Sequence, residues 1–405
     1  MRPASLDDGL LHELAERHGT PLYVYDGQTV RARVARLATA FDRVRFAQKA
    51  NSCLPLLRLV RATGAGIDAV SAGEVRLALR AGFRPHEILF TADLFEPESL
   101  ALVRAQRLPV NLGSADMLDA LADGGTHESV WLRVNPGFGH GHDEKVKTGG
   151  AWSKHGIWHE ELPRVVERVR ARGLAVRGLH AHIGSGCDLE SLARASAALR
   201  DAARHVGSEL RVISSGGGLP VPYRPEDQPF DLDSYAAAWR TAREAIAADL
   251  GHALELEVEP GRFVVAEAGV LVTRVCGRKR SGAVDWVLVD AGFNDLVRPA
   301  FYGAYHAIEA LGRPGAPRAP RAVAGPLCES ADVFTRDADG RVAPRDLPDV
   351  RPGDLLCICD AGAYGASMAS GYNARPLAAE VLLDRGRRVL ARRGRPLEDT
   401  LEQEA

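Results

Sequence analysis

The feature that most constrains the fold of this chain is a regular alternation of short apolar runs and longer amphipathic stretches between about residues 44 and 262. The apolar runs are rich in β-branched residues, and the stretches between them carry apolar residues at helical spacing. The predicted strands end near Lys49, Ser71, Asp93, Ser114, Asn135, Gly184, Ser215 and Gly261. Eight successive strand–helix units predict an α/β fold, a closed (β/α)8 parallel barrel of the TIM type.

After Arg262 the pattern changes to strands without long intervening helices, which predicts a second, mainly β domain. Its strands are predicted at 269–276, 286–290, 322–324, 355–360 and 388–391, with surface loops at 311–321 and 335–348. The apolar run 21–25 precedes the barrel and is expected to pair with this domain. We therefore predict a barrel domain over 26–266 and a mainly β domain formed by 1–25 and 267–405.

Composition favours a small-molecule partner. The 405 residues carry a formal net charge of -2, which predicts no general affinity for nucleic acid or an anionic membrane. No apolar run is long enough to span a membrane, and the first eight residues lack the apolar core of a signal peptide, so we expect a cytoplasmic protein. The six cysteines are scattered, which supports neither a disulfide framework nor a metal site.

Lys49 is the first candidate for chemistry, since it follows an apolar strand and is itself followed by Ala50 and Asn51. The active site of a parallel barrel lies at the carboxyl ends of its strands. A lysine whose amine loses its proton there can attack an aldehyde and form a Schiff base. Taken alone, the segment is more typical of an exposed lysine that serves solubility.

Three glycine-rich strand ends could surround a phosphate: Gly184 to Gly186 with Ser185, the run Gly216 to Gly218, and Gly261 with Arg262. Glycine allows backbone N–H groups to approach an anion closely, and the serine and arginine add a hydroxyl and a positive charge. The three lie on the sixth, seventh and eighth predicted strands, the side where many parallel barrels bind phosphate. We therefore predict a phosphorylated ligand opposite Lys49.

His180 and His182 lie two apart on a strand and are expected to face the same way, so a metal pair is one interpretation. No third ligand is evident in the sequence, and we favour one histidine stacked on an aromatic ligand and the other in a structural role. Glu259 shares its predicted face with Glu255 and Glu257, as a row of polar positions in the barrel would. At the strand end, Glu259 could also keep a pyridine nitrogen protonated.

Taken together, these motifs resemble the fold-type III pyridoxal-phosphate-dependent decarboxylases. The resemblance rests on Lys49-Ala50-Asn51, on His182 with the glycines that follow it, on Gly216 to Gly218 and on Glu259 to Arg262. It continues through Cys328-Glu329-Ser330 and Asp360 to Tyr364, and so covers nearly the whole chain in order. It is strongest to the members that act on diaminopimelate.

The resemblance implies pyridoxal 5'-phosphate as cofactor, held by Lys49 as a Schiff base, with His182 stacked on its ring and Glu259 at its ring nitrogen. The remaining cofactor-binding residues that it implies are Asp68, Ser185, Gly217, Gly218, Gly261, Arg262 and Tyr364. The substrate-binding residues that it implies are Arg262, Arg298, Tyr302, Glu329 and Tyr364. Cys328 is implied as a catalytic residue that, with Glu329, reaches across a homodimer interface into the site of the partner.

The implied reaction is the decarboxylation of meso-2,6-diaminopimelate to L-lysine and carbon dioxide. Arg298 suits the far carboxylate of this substrate, and Glu329 suits the ammonium group beside it. A decarboxylase of ornithine, arginine or a D-amino acid such as D-lysine remains an alternative, as does a non-catalytic homologue that binds the cofactor. A racemase of the same fold type normally places an arginine at the ring nitrogen, so Glu259 argues against it.

Overall fold

The structure is a computed structural model that describes residues 2–139, 148–184 and 188–394 together with residues 399 and 402. Its strands are β1 (Leu22–Asp26), β2 (Arg43–Ala47), β3 (Gly66–Ala69), β4 (Ile88–Ala92), β5 (Val110–Leu112), β6 (Ser129–Asn135), β7 (Ile157–Trp158), β8 (Ala175–Ala181), β9 (Val212–Ser214), β10 (Glu255–Val258), β11 (Gly269–Ser281), β12 (Val284–Val289), β13 (Ile308–Ala310), β14 (Arg318–Ala324), β15 (Arg345–Pro348), β16 (Leu355–Ile358), β17 (Ala379–Asp384) and β18 (Arg387–Arg392).

The α-helices are α1 (Asp8–His18), α2 (Gly27–Ala38), α3 (Leu54–Arg61), α4 (Ala72–Ala81), α5 (Pro97–Gln106), α6 (Ala115–Ala122), α7 (Leu162–Ala171), α8 (Leu189–Val206), α9 (Leu232–Leu250), α10 (Arg262–Val265) and α11 (Arg298–Tyr302). None of the helices in the described ranges combines the length and the apolarity that crossing a membrane requires.

The chain divides into two compact units. One, here named the barrel unit, comprises Ala32–Pro220 and Phe230–Gly261. The other, here named the β unit, comprises Met1–Arg31, Val221–Pro229 and Arg262–Ala405.

The barrel unit contains a closed parallel sheet. Its strands follow the order β5-β4-β3-β2-β10-β9-β8-β6. The first and last strands of this order, β5 and β6, also pair with each other, so the eight strands form a closed ring. The strands are short and apolar because helices cover the outside of the sheet while side chains fill its centre. The (β/α)8 barrel predicted from the sequence is confirmed, and each predicted strand end lies within a few residues of the observed one.

The β unit is built on a second sheet, in the order β15-β14-β12-β11-β1-β17-β18, with β16 paired to β11 and β13. Strand β1 lies between β11 and β17, which confirms that the run 21–25 joins this sheet. The core beneath it includes Leu11, Leu14, Val24 and Val272, all fully buried. The predicted loops at 311–321 and 335–348 are wrong at their ends, because β14 begins at Arg318 and pairs with β15.

A buried ion pair stabilises the barrel. The Nε atom of Arg45 on β2 donates to Oε2 of Glu257 on the neighbouring β10 at 2.8 Å, and both residues are almost completely buried. Arg43 reaches the other oxygen of Glu257 at 3.1 Å from a more exposed position. Burial raises the pKa of Glu257, and the charge of Arg45 acts against that shift. Loss of the Glu257 charge would therefore leave Arg45 without its ion-pair partner inside the barrel.

We expect Glu257→Gln to lower the free energy of unfolding of the barrel unit by about 3–5 kcal/mol, because the charge of Arg45 stays buried without a counter-ion. Glu255→Gln is the matched control, since Glu255 pairs with Arg43 at the exposed end of the same strand. The control should change stability by less than about 1 kcal/mol. Urea unfolding followed by circular dichroism measures both, and equal small losses would contradict the assignment.

Candidate active site

Lys49 lies just beyond the carboxyl end of β2, in a single 3-10 turn formed by Gln48–Ala50. The backbone N–H of Ala47 donates to the carbonyl of Pro260 at 3.1 Å, which ties this end of β2 to the end of β10. Lys49 is exposed in the single chain. Its positive charge acts to lower the pKa values of Asp68 and Glu74, so its ammonium group is close to both carboxyl groups.

Asp68, on β3, is a buried acid at the same end of the barrel. Burial and the nearby charge of Glu259 raise its pKa to about 6, although Lys49 and a hydrogen bond with Thr91 act in the opposite direction. Its Oδ1 atom has no hydrogen-bond partner among the described residues. A buried carboxyl oxygen without a partner is costly, so this position suits a polar ligand.

Glu259 directly follows β10 and is 5% exposed. The hydroxyl of Ser214 donates to its Oε1 at 3.2 Å, and Nε2 of His180 lies 2.8 Å from its Oε2, although the imidazole N–H does not point straight at that oxygen. Burial alone would raise the pKa of Glu259, but the charges of His180 and Arg45 outweigh it and hold the pKa below its usual value. Glu259 is therefore an ionised carboxylate in a buried position.

His182 follows β8 and is the second histidine of the predicted pair. The backbone N–H of Gly217 donates to its Nδ1 at 3.3 Å, so the ring proton of the neutral form is on Nε2. Burial, followed by the charges of Lys49 and Arg133, places the pKa of His182 well below its usual value. The ring is thus a neutral, flat surface, which suits stacking on an aromatic ligand.

The glycines after β9 form a tight backbone cradle. A Cβ atom at Gly217 would collide with the carbonyl oxygen of Glu259, and one at Gly218 would collide with the carbonyl oxygen of Gly184. Gly218 also has a φ of +93°, which other residues rarely adopt. At Gly261 a Cβ would lie 2.9 Å from that of Ala50. Ser185, predicted as a phosphate ligand, lies outside the described residues.

These features fit pyridoxal phosphate. The barrel end combines an amine for its aldehyde, an ionised carboxylate for its ring nitrogen, a neutral ring for its face and glycines whose backbone can approach a phosphate. The unpartnered oxygen of Asp68 is a further polar position at this end of the barrel.

The β unit brings together three of the predicted cofactor- and substrate-binding residues. The guanidinium of Arg262, at the start of α10, lies 5.4 Å from the centre of the Tyr364 ring and 5.7 Å from that of Tyr223. Arg298, at the start of α11, is 2% exposed and lies 4.7 Å from the centre of the same Tyr223 ring. A buried and a half-buried guanidinium group next to one another predict an anionic ligand.

The remaining predicted residues of the β unit lie apart from this cluster or at its edge. The half-buried Tyr302 ends α11, and its hydroxyl acts electrostatically on Arg262. Cys328 and Glu329 lie exposed in the turn after β14, where the N–H of Cys328 donates to Oδ1 of Asn373 at 3.0 Å. The contacts found in the described residues join neither Cys328 nor Glu329 to the arginines.

Sequence reasoning missed Tyr223, His306 and the partners of Glu259. Tyr223 follows the glycine run by only a few residues, and His306 lies shortly after Arg298 and Tyr302 in the chain. His180 was assigned a structural role, yet it lies opposite Ser214 in the β8–β9 register and both contact Glu259. A check of which polar residues share a register position at the strand ends could have found this pair.

Comparison with known proteins identifies the family of this chain. The family model described as "Pyridoxal-dependent decarboxylase, pyridoxal binding domain" matches residues 27–266. The chain is 49% identical over 403 residues to the diaminopimelate decarboxylase of Escherichia coli K12, covering 97% of this chain and 96% of the relative. It is 48% identical to that of Streptomyces coelicolor, covering 99% of this chain and 93% of the relative.

Solved structures lead to the same family. A crystal structure of a diaminopimelate decarboxylase superposes with a TM-score of 0.94 at 47% identity, over 99% of this chain and 98% of the other. The Helicobacter pylori diaminopimelate decarboxylase, complexed with L-lysine, superposes with a TM-score of 0.88 at 32% identity, over 97% and 99% of the two chains. The chain therefore belongs to the pyridoxal-dependent decarboxylases, and within them to the diaminopimelate decarboxylase family.

Proposed function

We propose that this chain removes one carboxyl group of meso-2,6-diaminopimelate as carbon dioxide and releases L-lysine, the last step of lysine biosynthesis. The observation that carries the proposal is the buried, ionised Glu259 at the same end of the closed barrel as Lys49. The near full-length identity to diaminopimelate decarboxylases supports the substrate. A solved relative complexed with L-lysine supports the product.

Each candidate site residue of the barrel unit has a distinct role in this proposal. Bound pyridoxal phosphate supplies a protonated pyridine ring that accepts the electron pair released when the carboxyl group departs. Glu259 stays ionised and accepts a hydrogen bond from the ring nitrogen, which keeps the proton there. Lys49 is the amine that holds the cofactor aldehyde, His182 presents its ring face, and the backbone of Gly217 and Gly218 receives the phosphate.

The residues of the β unit take the charged groups of cofactor and substrate. Arg262 and Tyr364 are proposed for the phosphate and the substrate, and Arg298 with Tyr302 for the substrate carboxylate that is retained. Cys328 is proposed to give a proton to the carbon that lost its carboxyl group. Glu329 is proposed for the ammonium group beside the retained carboxylate.

We also propose that the enzyme is a cytoplasmic homodimer with shared sites. Cys328 and Glu329 are exposed and have no described contact with the two arginines, which suits residues that serve the partner chain. The domain limits of 26–266 for the cofactor domain and 1–25 with 267–405 for the β domain belong to the same proposal. Shared sites require the dimer for activity.

The direct test is carbon dioxide release by the cofactor-loaded protein from meso-diaminopimelate, with L-lysine, L-ornithine, L-arginine and their D forms in parallel. We expect release from diaminopimelate alone, and none from a Lys49→Ala variant. Lys279→Ala, which removes an exposed lysine on β11, should retain full activity. Release from a different amino acid, or from none, would contradict the proposed function.

We expect Glu259→Gln to lower kcat by about 10²–10³-fold, because a neutral amide stabilises a protonated ring nitrogen less than a carboxylate does. Steady-state kinetics with diaminopimelate measures this, and Glu255→Gln, at the start of β10, serves as the control. A Glu259→Gln enzyme with unchanged kcat would exclude the proposed contact with the ring nitrogen.

The shared site predicts complementation between two inactive variants. Co-expressed Lys49→Ala and Glu329→Ala chains should regain about a quarter of wild-type activity, because half of the randomly formed dimers contain one intact site. Each variant expressed alone should be inactive. If the mixture also stays inactive, or if Glu329→Ala alone is fully active, each chain completes its own site.

A further inference from the structure

Arg262 and Arg298 are held by the same aromatic ring in the β unit. Their guanidinium carbons lie 5.7 Å and 4.7 Å from the centre of Tyr223, and Nη1 of Arg262 donates to the Tyr223 hydroxyl at 3.1 Å. Within the described ranges neither arginine forms an ion pair with a carboxylate. Burial and the charge of Arg262 both act to lower the pKa of Arg298. The two positive charges therefore lie close together without a counter-ion from this unit.

His306 is the second neutral group that holds Arg298. Its Nδ1 lies 2.8 Å from the carbonyl oxygen of Cys359, and its Nε2 lies 2.8 Å from Nη1 of Arg298. A carbonyl can only accept a hydrogen bond and a guanidinium can only donate one. Nδ1 therefore carries the proton, and the lone pair of Nε2 faces Arg298. Burial and the charge of Arg298 place the pKa of His306 well below its usual value, which keeps the ring neutral.

The surroundings of His306 fix the position of its ring. Its backbone carbonyl accepts a hydrogen bond from Nη1 of Arg345 at 2.6 Å. The next residue, Ala307, accepts one from the N–H of Cys359 at 2.9 Å, and β13 then pairs with β16. The Tyr223 ring packs edge-on against the imidazole at 5.4 Å. His306 is thus a rigid acceptor, supported by the Arg345 side chain and by the backbone pairing next to it.

We propose that His306 is a positioning residue for substrate recognition, which orients the guanidinium of Arg298 toward the carboxylate that the substrate retains. Tyr223 assists by holding Arg298 and Arg262 against one ring. Both partners are neutral, so they orient Arg298 without neutralising it, whereas an aspartate or glutamate in their place would form an ion pair with it and compete with the ligand. The assignment rests on the proposed function.

Two variants separate the two hydrogen bonds of His306. In His306→Asn, the amide can still donate to the Cys359 carbonyl but is too short to reach Arg298. In His306→Gln, the amide oxygen can take the place of Nε2 and accept from Arg298. Two ligands are compared. L-lysine carries the retained carboxylate, whereas 1,5-diaminopentane has the same five carbons between its two amines but no carboxylate.

Calorimetry on the cofactor-loaded proteins measures the binding of both ligands, and steady-state kinetics measures KM for diaminopimelate. We expect His306→Asn to weaken L-lysine binding and to raise KM by about tenfold to a hundredfold, as expected when a hydrogen bond to a charged group is lost. Binding of 1,5-diaminopentane should change by less than about twofold, and His306→Gln should restore most of the L-lysine affinity.

Two results would overturn the proposal. One is an unchanged L-lysine affinity in His306→Asn, and the other is an equal loss for both ligands in both variants, which is the pattern of a general structural defect. Carbon dioxide release by the wild-type protein is measured alongside. A wild type that binds both ligands but does not decarboxylate diaminopimelate would overturn the proposed function, while the binding comparison still decides the role of His306.

Discussion

The buried carboxylate of Glu259 is the constraint on which the barrel site depends. An ionised carboxylate is costly to bury unless charged or polar partners surround it. Here the partners come from neighbouring strands, since His180 and Ser214 occupy matching positions on β8 and β9 while Glu259 follows β10. Closure of the sheet brings β2 next to β10, and so places Lys49 at the same barrel end. A negative charge is thereby fixed at the same barrel end as the candidate Schiff-base lysine.

The β unit follows a different electrostatic rule. The buried Arg298 and the half-buried Arg262 are oriented by groups that carry no charge, the Tyr223 ring and the neutral imidazole of His306. Neutral acceptors fix the direction of a guanidinium group and leave its positive charge available to an anion. Two positive charges without a counter-ion destabilise the β unit when no ligand is bound. They favour binding of a carboxylate or a phosphate. Arg298 differs in this respect from Arg45, which forms a buried ion pair with Glu257.

The barrel and the position of Glu259 could be predicted because the carboxyl ends of parallel strands all lie at one end of a barrel. A residue that follows a strand in the sequence is therefore expected at that end. The contact of His180 with Glu259 was not predicted, because period-two alternation gives His180 the same face as His182, and it is the register of β8 with β9 that places His180 opposite Ser214. The contact between Tyr223 and His306 joins distant segments and leaves no local pattern. The edge strand β15 was missed because its sequence, from Arg345 to Pro348, lacks an apolar run.

The most direct measurement reduces the cofactor-loaded protein with borohydride, digests it and locates the attached pyridoxyl group by mass spectrometry. The chain has five lysines, at 49, 145, 147, 154 and 279, so the modified residue can be identified without ambiguity. The account predicts that the group is on Lys49 alone and that the yellow colour disappears on reduction. A label on any other lysine, or a protein that takes up no cofactor, would contradict the central claim that this barrel end is a pyridoxal phosphate site.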